Sequence, residues 1–233
     1  ASVSDGADDF RGPGLICSSM PRGSVRRVAV FRVVAVALLS LLAVSCASVP
    51  GGGPSLSRAD AEAAWSARQA MLREVRAWDL SGRISVSGPD GSWNARIRWS
   101  QRGDTYDIDF LSLFGQQVAR LEGSGEDVVL RLPDQEPQRA ATAGELLAIS
   151  FGWSAPLDAL RYWILGLPRP HTPAATRLDE RGRLSRLEQE GWSVDYPQYT
   201  AVGADPGDLP RRLMLEGAPA RIRLVVDSWD LGG

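Results

Sequence analysis

The chain has 233 residues, of which 44% are hydrophobic and 23% charged, a composition typical of a globular protein rather than a disordered or fibrous one. Its formal net charge is −2, since 28 acidic residues face 26 basic ones, all arginine, and a nucleic-acid binder would need a basic surplus. One histidine and two cysteines exclude multi-histidine metal sites and most histidine-dependent catalysis.

The first 45 residues have the pattern of an export signal. Met20 precedes a basic stretch that ends at Arg32, and residues 33–44 are apolar except for Ser40. A membrane span takes about 20 apolar residues, so this shorter run has the proportions of a signal-peptide core. We therefore predict upstream residues and a signal peptide over 1–45, with translation starting at Met20.

Cys46 follows this run and predicts a lipid anchor. The preceding Ala43-Val44-Ser45 resembles a lipobox, where signal peptidase II cuts and leaves an acylated N-terminal cysteine, although Ala43 stands where leucine is usual. An ordinary secretory signal with a chance cysteine is the alternative. The covalent lipid on Cys46 is the only non-protein group expected; no cofactor and no metal are predicted.

The segment after Cys46 is rich in glycine, proline and serine, as in a flexible tether. We assign residues 46–56 to the lipidated cysteine and its tether, and residues 57–233 to a single folded domain. Residue 47 is alanine rather than aspartate, which by resemblance to bacterial lipoproteins implies sorting to the outer membrane.

The folded part opens with a predicted helix over 58–77, which contains no glycine or proline and can be capped by Ser57. Arg68 interrupts its apolar face, so we expect the helix to lie on a surface. From residue 78 the hydrophobic period changes to two, which predicts strands of an antiparallel meander. Five strands are expected, near 78–87, 93–99, 106–110, 116–123 and 126–132.

The second half combines two short helices with more strands. Thr142 and Glu145 form a capping-box pattern for a helix through Ile149, and Pro156 starts another that Gly166 ends. Further strands are predicted near 184–190, 192–199, 211–217 and 221–229. The fold class is therefore mainly β with helices (α+β), built on one large antiparallel sheet with about three helices.

Catalytic motifs are missing from the sequence. His171 lies in a proline-rich loop without a paired serine and aspartate nearby, and neither a phosphate loop nor a dinucleotide fingerprint occurs. Asp107 and Asp109 alternate along a strand, so we interpret them as a solvated face rather than an acid/base pair. The protein is expected to bind rather than to catalyse.

Eight tryptophans are many for this length. They could form a tryptophan-rich core, or they could line an apolar cavity on the concave face of a curved sheet too wide for its helices to fill. The residues themselves leave both alternatives open.

Several segments resemble the outer-membrane lipoprotein receptor family LolB, in family order over almost the whole chain after Cys46. The most specific is Leu160-Arg161-Tyr162-Trp163-Ile164-Leu165-Gly166-Leu167-Pro168. The others include Trp78 with Ser81-Gly82-Arg83, Ile97-Arg98-Trp99-Ser100-Gln101, Phe151-Gly152-Trp153, Gly191-Trp192-Ser193-Val194-Asp195-Tyr196, Leu209-Pro210-Arg211-Arg212-Leu213 and Ile222-Arg223-Leu224-Val225-Val226-Asp227-Ser228-Trp229.

The resemblance implies an incomplete antiparallel β-barrel with helices covering its open side, around an apolar cavity for acyl chains. Carried over by position, the cavity residues are Trp99, Trp163, Trp192 and Trp229. The implied function takes lipoproteins from a LolA-like periplasmic carrier and inserts them into the inner leaflet of the outer membrane. The protein would be a lipid-anchored monomer facing the periplasm, with acylated lipoproteins as cargo.

The segment Leu111-Ser112-Leu113-Phe114-Gly115 matches a family loop with a protruding leucine that engages the membrane. Phe114 takes the place of that leucine and Leu113 that of the preceding proline. Both side chains could instead tuck under the hairpin, but apolar residues at a tight turn have little core beneath them. Two rival functions remain: a carrier of phospholipid or glycolipid, and a structural envelope lipoprotein with a filled core.

Overall fold

The computed structural model describes residues 57–89, 91–124, 127–203 and 207–232. The predictions for the start at Met20, the signal, Cys46 and the tether fall outside these residues.

Three helices and eleven strands form the described part. The helices are α1 (Arg58–Glu74), α2 (Ala143–Phe151) and α3 (Leu157–Trp163). The strands are β1 (Ala77–Gly88), β2 (Gly91–Arg102), β3 (Thr105–Leu111), β4 (Gln117–Ser124), β5 (Asp127–Arg131), β6 (Gln138–Ala140), β7 (Ala174–Leu178), β8 (Leu184–Gln189), β9 (Trp192–Val202), β10 (Gly207–Gly217) and β11 (Ala220–Asp230).

All eleven strands belong to one antiparallel sheet in the order β6-β5-β4-β3-β2-β1-β11-β10-β9-β8-β7. Consecutive strands pair with each other, apart from β6 and β7, and β1 also pairs with β11, which joins the two halves at the centre. The edges β6 and β7 do not pair with each other, so the barrel stays open. The predicted mainly β fold, an incomplete antiparallel barrel with about three helices, is confirmed.

The alternation of the sequence decides which face of each strand is buried. Along β2, Ala95, Ile97 and Trp99 are buried, whereas Arg96 and Arg98 between them are exposed. Asp107 and Asp109 also lie on the outer face, in ion pairs with Arg120. Burial raises the pKa of Asp107 although Arg120 opposes the shift. These contacts favour the polar-face interpretation of the two aspartates.

The helix starts follow the predicted capping residues. The side-chain oxygen of Ser57 accepts a hydrogen bond from the backbone N–H of Asp60 at 3.2 Å, and that of Thr142 accepts one from Glu145 at 3.3 Å. Helix α1 ends at Glu74, three residues before the predicted end, because Val75 already has extended backbone angles. Pro156 precedes α3 as its N-cap rather than standing at its first helical position.

The two ends of the sheet differ, and the site depends on this difference. The connections β1–β2, β3–β4 and β10–β11 lie at one end, which we call the loop end. At the other, the helix end, α1 leads into β1 and approaches the β7–β8 turn. Gly182 of that turn has a positive φ of 71°, and a Cβ built on it would lie 2.8 Å from the carbonyl oxygen of Ala61 in α1.

Candidate functional site

Trp78 lies at the centre of the first of three aromatic clusters on the inner face. Its ring centroid is 5.3 Å from that of Trp99 and 5.6 Å from that of Trp229. The indole N–H of Trp99 donates to Gln101 Oε1 at 3.0 Å, and that of Trp229 donates to the carbonyl of Pro210 at 3.2 Å. The register explains the grouping, because Trp99 and Trp229 both pair with Leu80, two residues after Trp78.

Trp163 and Trp192 form a second cluster, with ring centroids 6.4 Å apart. Trp163 is fully buried, and its indole N–H donates to Gln189 Oε1 at 2.8 Å. The hydroxyl of Tyr196 donates to the carbonyl of Trp163 at 2.9 Å, and burial raises the pKa of that hydroxyl well above its usual value. Trp192 covers Gly217, where a Cβ would lie within 2.4 Å of the indole ring.

The four tryptophans predicted from the resemblance therefore fall into two pairs. Trp99 and Trp229 are linked through Trp78, whereas Trp163 and Trp192 contact each other. Trp78 was not among the predicted tryptophans. It lies on the same face of β1 as Leu80, however, and the register places Leu80 between Trp99 and Trp229. Whether the four residues line a cavity for acyl chains stays a prediction.

A third aromatic cluster lies toward the loop end. Trp93 contacts Phe110, Phe151 and Trp153 at centroid distances of 5.3, 5.4 and 6.0 Å. A cleft of about 220 Å³ opens beside this cluster, lined in part by Val86. Among the described residues the indole N–H of Trp153 is buried without a hydrogen-bond partner.

At the helix end, a cleft of about 300 Å³ lies between α1 and the segment around α3. Its apolar lining includes Leu72 of α1, Trp78, Tyr162 and Leu165. Arg73, Arg76 and Arg161 also line this cleft, together with Asp104, which pairs with Arg161 at 2.6 Å, so the lining carries a net positive charge. Trp78, at the centre of the first aromatic cluster, is thus part of the lining of this cleft.

Helix α1 is held over this end by a buried arginine. Arg68 is only 8% exposed, and its Nη2 donates to the carbonyl of Asp208. Its guanidinium lies 5.7 Å from the centroid of the Tyr199 ring, and that of Arg183 lies 4.4 Å from it. Burial lowers the pKa of Arg68 and raises that of Tyr199. Arg68 thus belongs to the buried face of α1, with Trp65 and Leu72, whereas the sequence predicted that it would interrupt that face.

The β3–β4 turn carries the two predicted membrane-loop residues at the loop end. Leu113 is 77% exposed and Phe114 93% exposed. The N–H of Ser112 donates to the carbonyl of Gln116 at 2.8 Å, and Gly115 supplies the positive φ of 82° that the turn requires. The turn is tight, and neither apolar side chain tucks under the hairpin.

The described residues contain no group of three or more histidine, cysteine, aspartate or glutamate side chains placed to hold a metal ion. His171 is exposed in the loop before β7. Within the same part of the chain, no helix is long and apolar enough to cross a membrane.

Comparison with known proteins gives one consistent family. The profile described as "Outer membrane lipoprotein LolB" matches residues 76–229. A protein of Nitrosococcus oceani named "Outer-membrane lipoprotein LolB" is 40% identical over 200 residues, which cover 85% of this chain and 98% of that one. A Pseudomonas putida protein of the same name is 35% identical over 165 residues, or 71% and 80% of the two chains.

The solved structures that align with this chain have little sequence in common with it. A LolA superfamily protein from Nitrosomonas europaea aligns with a TM-score of 0.44 at 10% identity, over 72% of this chain and 93% of that one. A DUF1329 family protein from Desulfovibrio piger aligns with a TM-score of 0.47 at 8% identity, over 72% and 92%.

Proposed function

The chain belongs to the LolB family of outer-membrane lipoproteins, and we propose that it takes lipoproteins from a LolA-like periplasmic carrier and inserts them into the inner leaflet of the outer membrane. The family acts in lipoprotein localisation at the outer membrane and without catalysis. The observation that carries the proposal is the family match over residues 76–229, which includes all three aromatic clusters and the exposed loop.

The cost of exposing acyl chains dictates how such a transfer proceeds. At about 0.8 kcal/mol per methylene, moving the lipid of one lipoprotein into water costs on the order of 30 kcal/mol. Cargo therefore passes directly between two apolar sites, each binding the chains more favourably than the one before. The membrane is the final and most favourable site, so transfer needs no nucleotide hydrolysis.

The helix end is the side that suits docking of a loaded carrier. Its cleft of about 300 Å³ is at the lower limit of ordinary ligand pockets, so an acyl chain would enter only as α1 moves outward. Movement of α1 would extend the cleft past Trp78 toward Trp99 and Trp229. The acyl chain would then reach the deeper pair, Trp163 and Trp192. On this route the acyl chains contact the four tryptophans that the family resemblance implied as the acyl-chain site.

Release into the membrane is assigned to the loop end. Leu113 and Phe114 expose apolar surface to water, which is favourable only when that surface enters an apolar phase. We expect the double variant Leu113→Glu/Phe114→Glu to accept cargo from the carrier normally and to insert it into vesicles about tenfold more slowly, since two desolvated carboxylates oppose insertion. A reconstituted assay with labelled cargo follows both steps separately.

A matched control accompanies this assay. Phe114→Leu keeps an apolar tip and should insert cargo at the wild-type rate. Normal insertion by the double glutamate variant would refute the role of the loop. Failure of wild type to accept cargo, with transfer of free phospholipid or glycolipid instead, would favour the rival lipid carrier.

We further propose that Cys46 carries the covalent lipid that holds the protein at the outer membrane as a monomer facing the periplasm. The proposal follows from the lipobox-like sequence before Cys46 and from the family name of its relatives. Mass spectrometry of the membrane-extracted protein should show an acylated N-terminal Cys46 and no residue from 1–45. An N-terminus elsewhere, or an unmodified cysteine, would contradict it.

A further inference from the structure

A row of arginines crosses the middle of the outer face. Arg96 of β2 lies directly opposite Arg83 of β1, and Val225 of β11 links Arg83 to Arg212 of β10 in the same row. Arg223 lies two residues from Val225 on the same face of β11. We call Arg83, Arg96, Arg212 and Arg223 the arginine patch; its row spans about 14 Å at ordinary strand spacing.

The patch carries more positive charge than its surroundings neutralise. Arg83 pairs with Asp227 at 2.9 Å, but among the described residues no carboxylate lies within ion-pair distance of Arg96, Arg212 or Arg223. Two like charges directly opposite each other on neighbouring strands destabilise a sheet. The Arg83–Arg96 juxtaposition therefore costs stability, in a chain whose net charge is −2.

Directly opposite arginines also occur at Arg120–Arg131 and Arg177–Arg186, but most arginines outside the patch are neutralised by carboxylates. Arg120, Arg131 and Arg139 on β4, β5 and β6 each pair with an acidic residue at or near a neighbouring position. Arg186 on β8 pairs with both Glu188 and Asp195. Among the described residues, Arg177 of the edge strand β7 also lacks an ion pair, so the unneutralised charge is concentrated on the central strands without being restricted to them.

The patch is continuous with the exposed apolar loop. Arg96 pairs in register with Leu111, the last residue of β3 before the turn that carries Leu113 and Phe114. Arg223 lies three residues after Ala220, where β11 begins at the loop end. Arg96 therefore lies on the strand beside the loop, level with its start, and the rest of the row extends from Arg96 across the middle of the sheet.

We propose that the arginine patch binds the phosphate groups of anionic phospholipids and so orients the loop end against the membrane. An acidic protein surface would account for the arginines but not for Phe114 beside them. An apolar tip next to basic residues is the combination by which proteins bind a lipid surface, with apolar insertion and electrostatic attraction acting together. The inference rests on the proposed outer-membrane function and adds the lipid class that the protein recognises.

Vesicle binding tests the inference on the mature chain, residues 46–233, with Cys46→Ala so that no anchor contributes. Binding is measured to phosphatidylcholine vesicles with and without phosphatidylglycerol. We expect Arg96→Gln/Arg223→Gln to lose at least about tenfold of its affinity for the anionic vesicles, since each arginine near such a surface contributes severalfold. Binding to neutral vesicles should not change.

Arg131→Gln/Arg139→Gln is the matched control, because it removes the same charge from the same face at paired positions. Its affinity for anionic vesicles should be within about twofold of the wild-type affinity. Higher ionic strength should weaken the vesicle binding of wild type more than that of the patch variant. Equal losses in both double variants would show that net charge alone sets the affinity and would overturn the proposal.

Two further outcomes would also overturn it. The first is that the patch variant binds anionic vesicles as wild type does. The second is that this variant, with vesicle binding intact, no longer cross-links to the carrier, which would assign the patch to an acidic protein. Cargo transfer is measured in the same preparations. A wild-type chain that transfers no cargo but still shows the patch effect would refute the proposed function while leaving the lipid-binding patch standing.

Discussion

Gln189→Met should lower the free energy of unfolding by about 4 kcal/mol, since it leaves several buried polar groups without partners. Gln189 is 3% exposed and makes four hydrogen bonds. Its Oε1 accepts from Trp163 Nε1 and from the backbone N–H of Arg169, both at 2.8 Å. Its Nε2 donates to the carbonyls of Arg169 at 2.9 Å and Thr172 at 3.1 Å.

These bonds join α3 and the loop after it to β8, so the variant should also loosen the surroundings of Trp163. Methionine matches glutamine in length, which separates the loss of hydrogen bonding from the creation of a cavity. Gln198→Met, at an exposed position on β9, is the control and should change stability by less than about 0.5 kcal/mol. Urea denaturation followed by tryptophan fluorescence measures both variants, and similar midpoints for the two would contradict the assignment.

Gly82→Ala should cost about 3 kcal/mol of unfolding free energy, or roughly 6–12 °C in melting temperature. Gly82 faces inward at an irregularity in the register between β1 and β11. A Cβ at this position would lie 2.3 Å from the carbonyl oxygen of Val225 and 3.2 Å from the Cα of Val226. Both atoms belong to the backbone of the neighbouring strand, so relief requires that β11 shift.

Gly88→Ala is the matched control because it is the same substitution on the same strand. A Cβ on Gly88 would approach only the carbonyl oxygen of Pro219, at an ordinary contact distance of 3.8 Å. This variant should melt within about 2 °C of wild type or slightly above it, since alanine restricts the unfolded chain. Thermal unfolding by circular dichroism measures both; a Gly82→Ala protein as stable as the Gly88→Ala protein would disprove the predicted clash.

The central strands could be predicted from the sequence because their residues alternate between a buried and an exposed face. The two strands that were missed, β6 and β7, are the edges of the sheet. The residues of β7 are almost all exposed, and β6 has only three residues, so neither has an apolar period to detect. Edge pairing is decided by the neighbouring strand rather than by the residues of the edge itself.

Parts of the site depend on contacts distant in sequence, which local patterns do not encode. Arg68 looked like a break in the apolar face of α1, but its partners are Asp208 and Tyr199, far along the chain. Likewise, Trp78 meets Trp229 only through the β1–β11 pairing, whereas its contact with Trp99 lies within the local β1–β2 hairpin. The loop residues Leu113 and Phe114 were identified from the family resemblance, and their exposure could be predicted because apolar residues at a tight turn have little core beneath them.

The pairing of β1 with β11 also has a consequence for biogenesis. A chain that emerges into the periplasm from its N-terminus can form β1 to β6 as successive local hairpins, but one edge of β1 has no partner until the last strand arrives. Until then the longest strands present an open edge of the kind that promotes aggregation. The last strand, Ala220–Asp230, therefore completes the sheet by joining its two halves. A chain that stops short of this strand would leave the two half-sheets unpaired with each other.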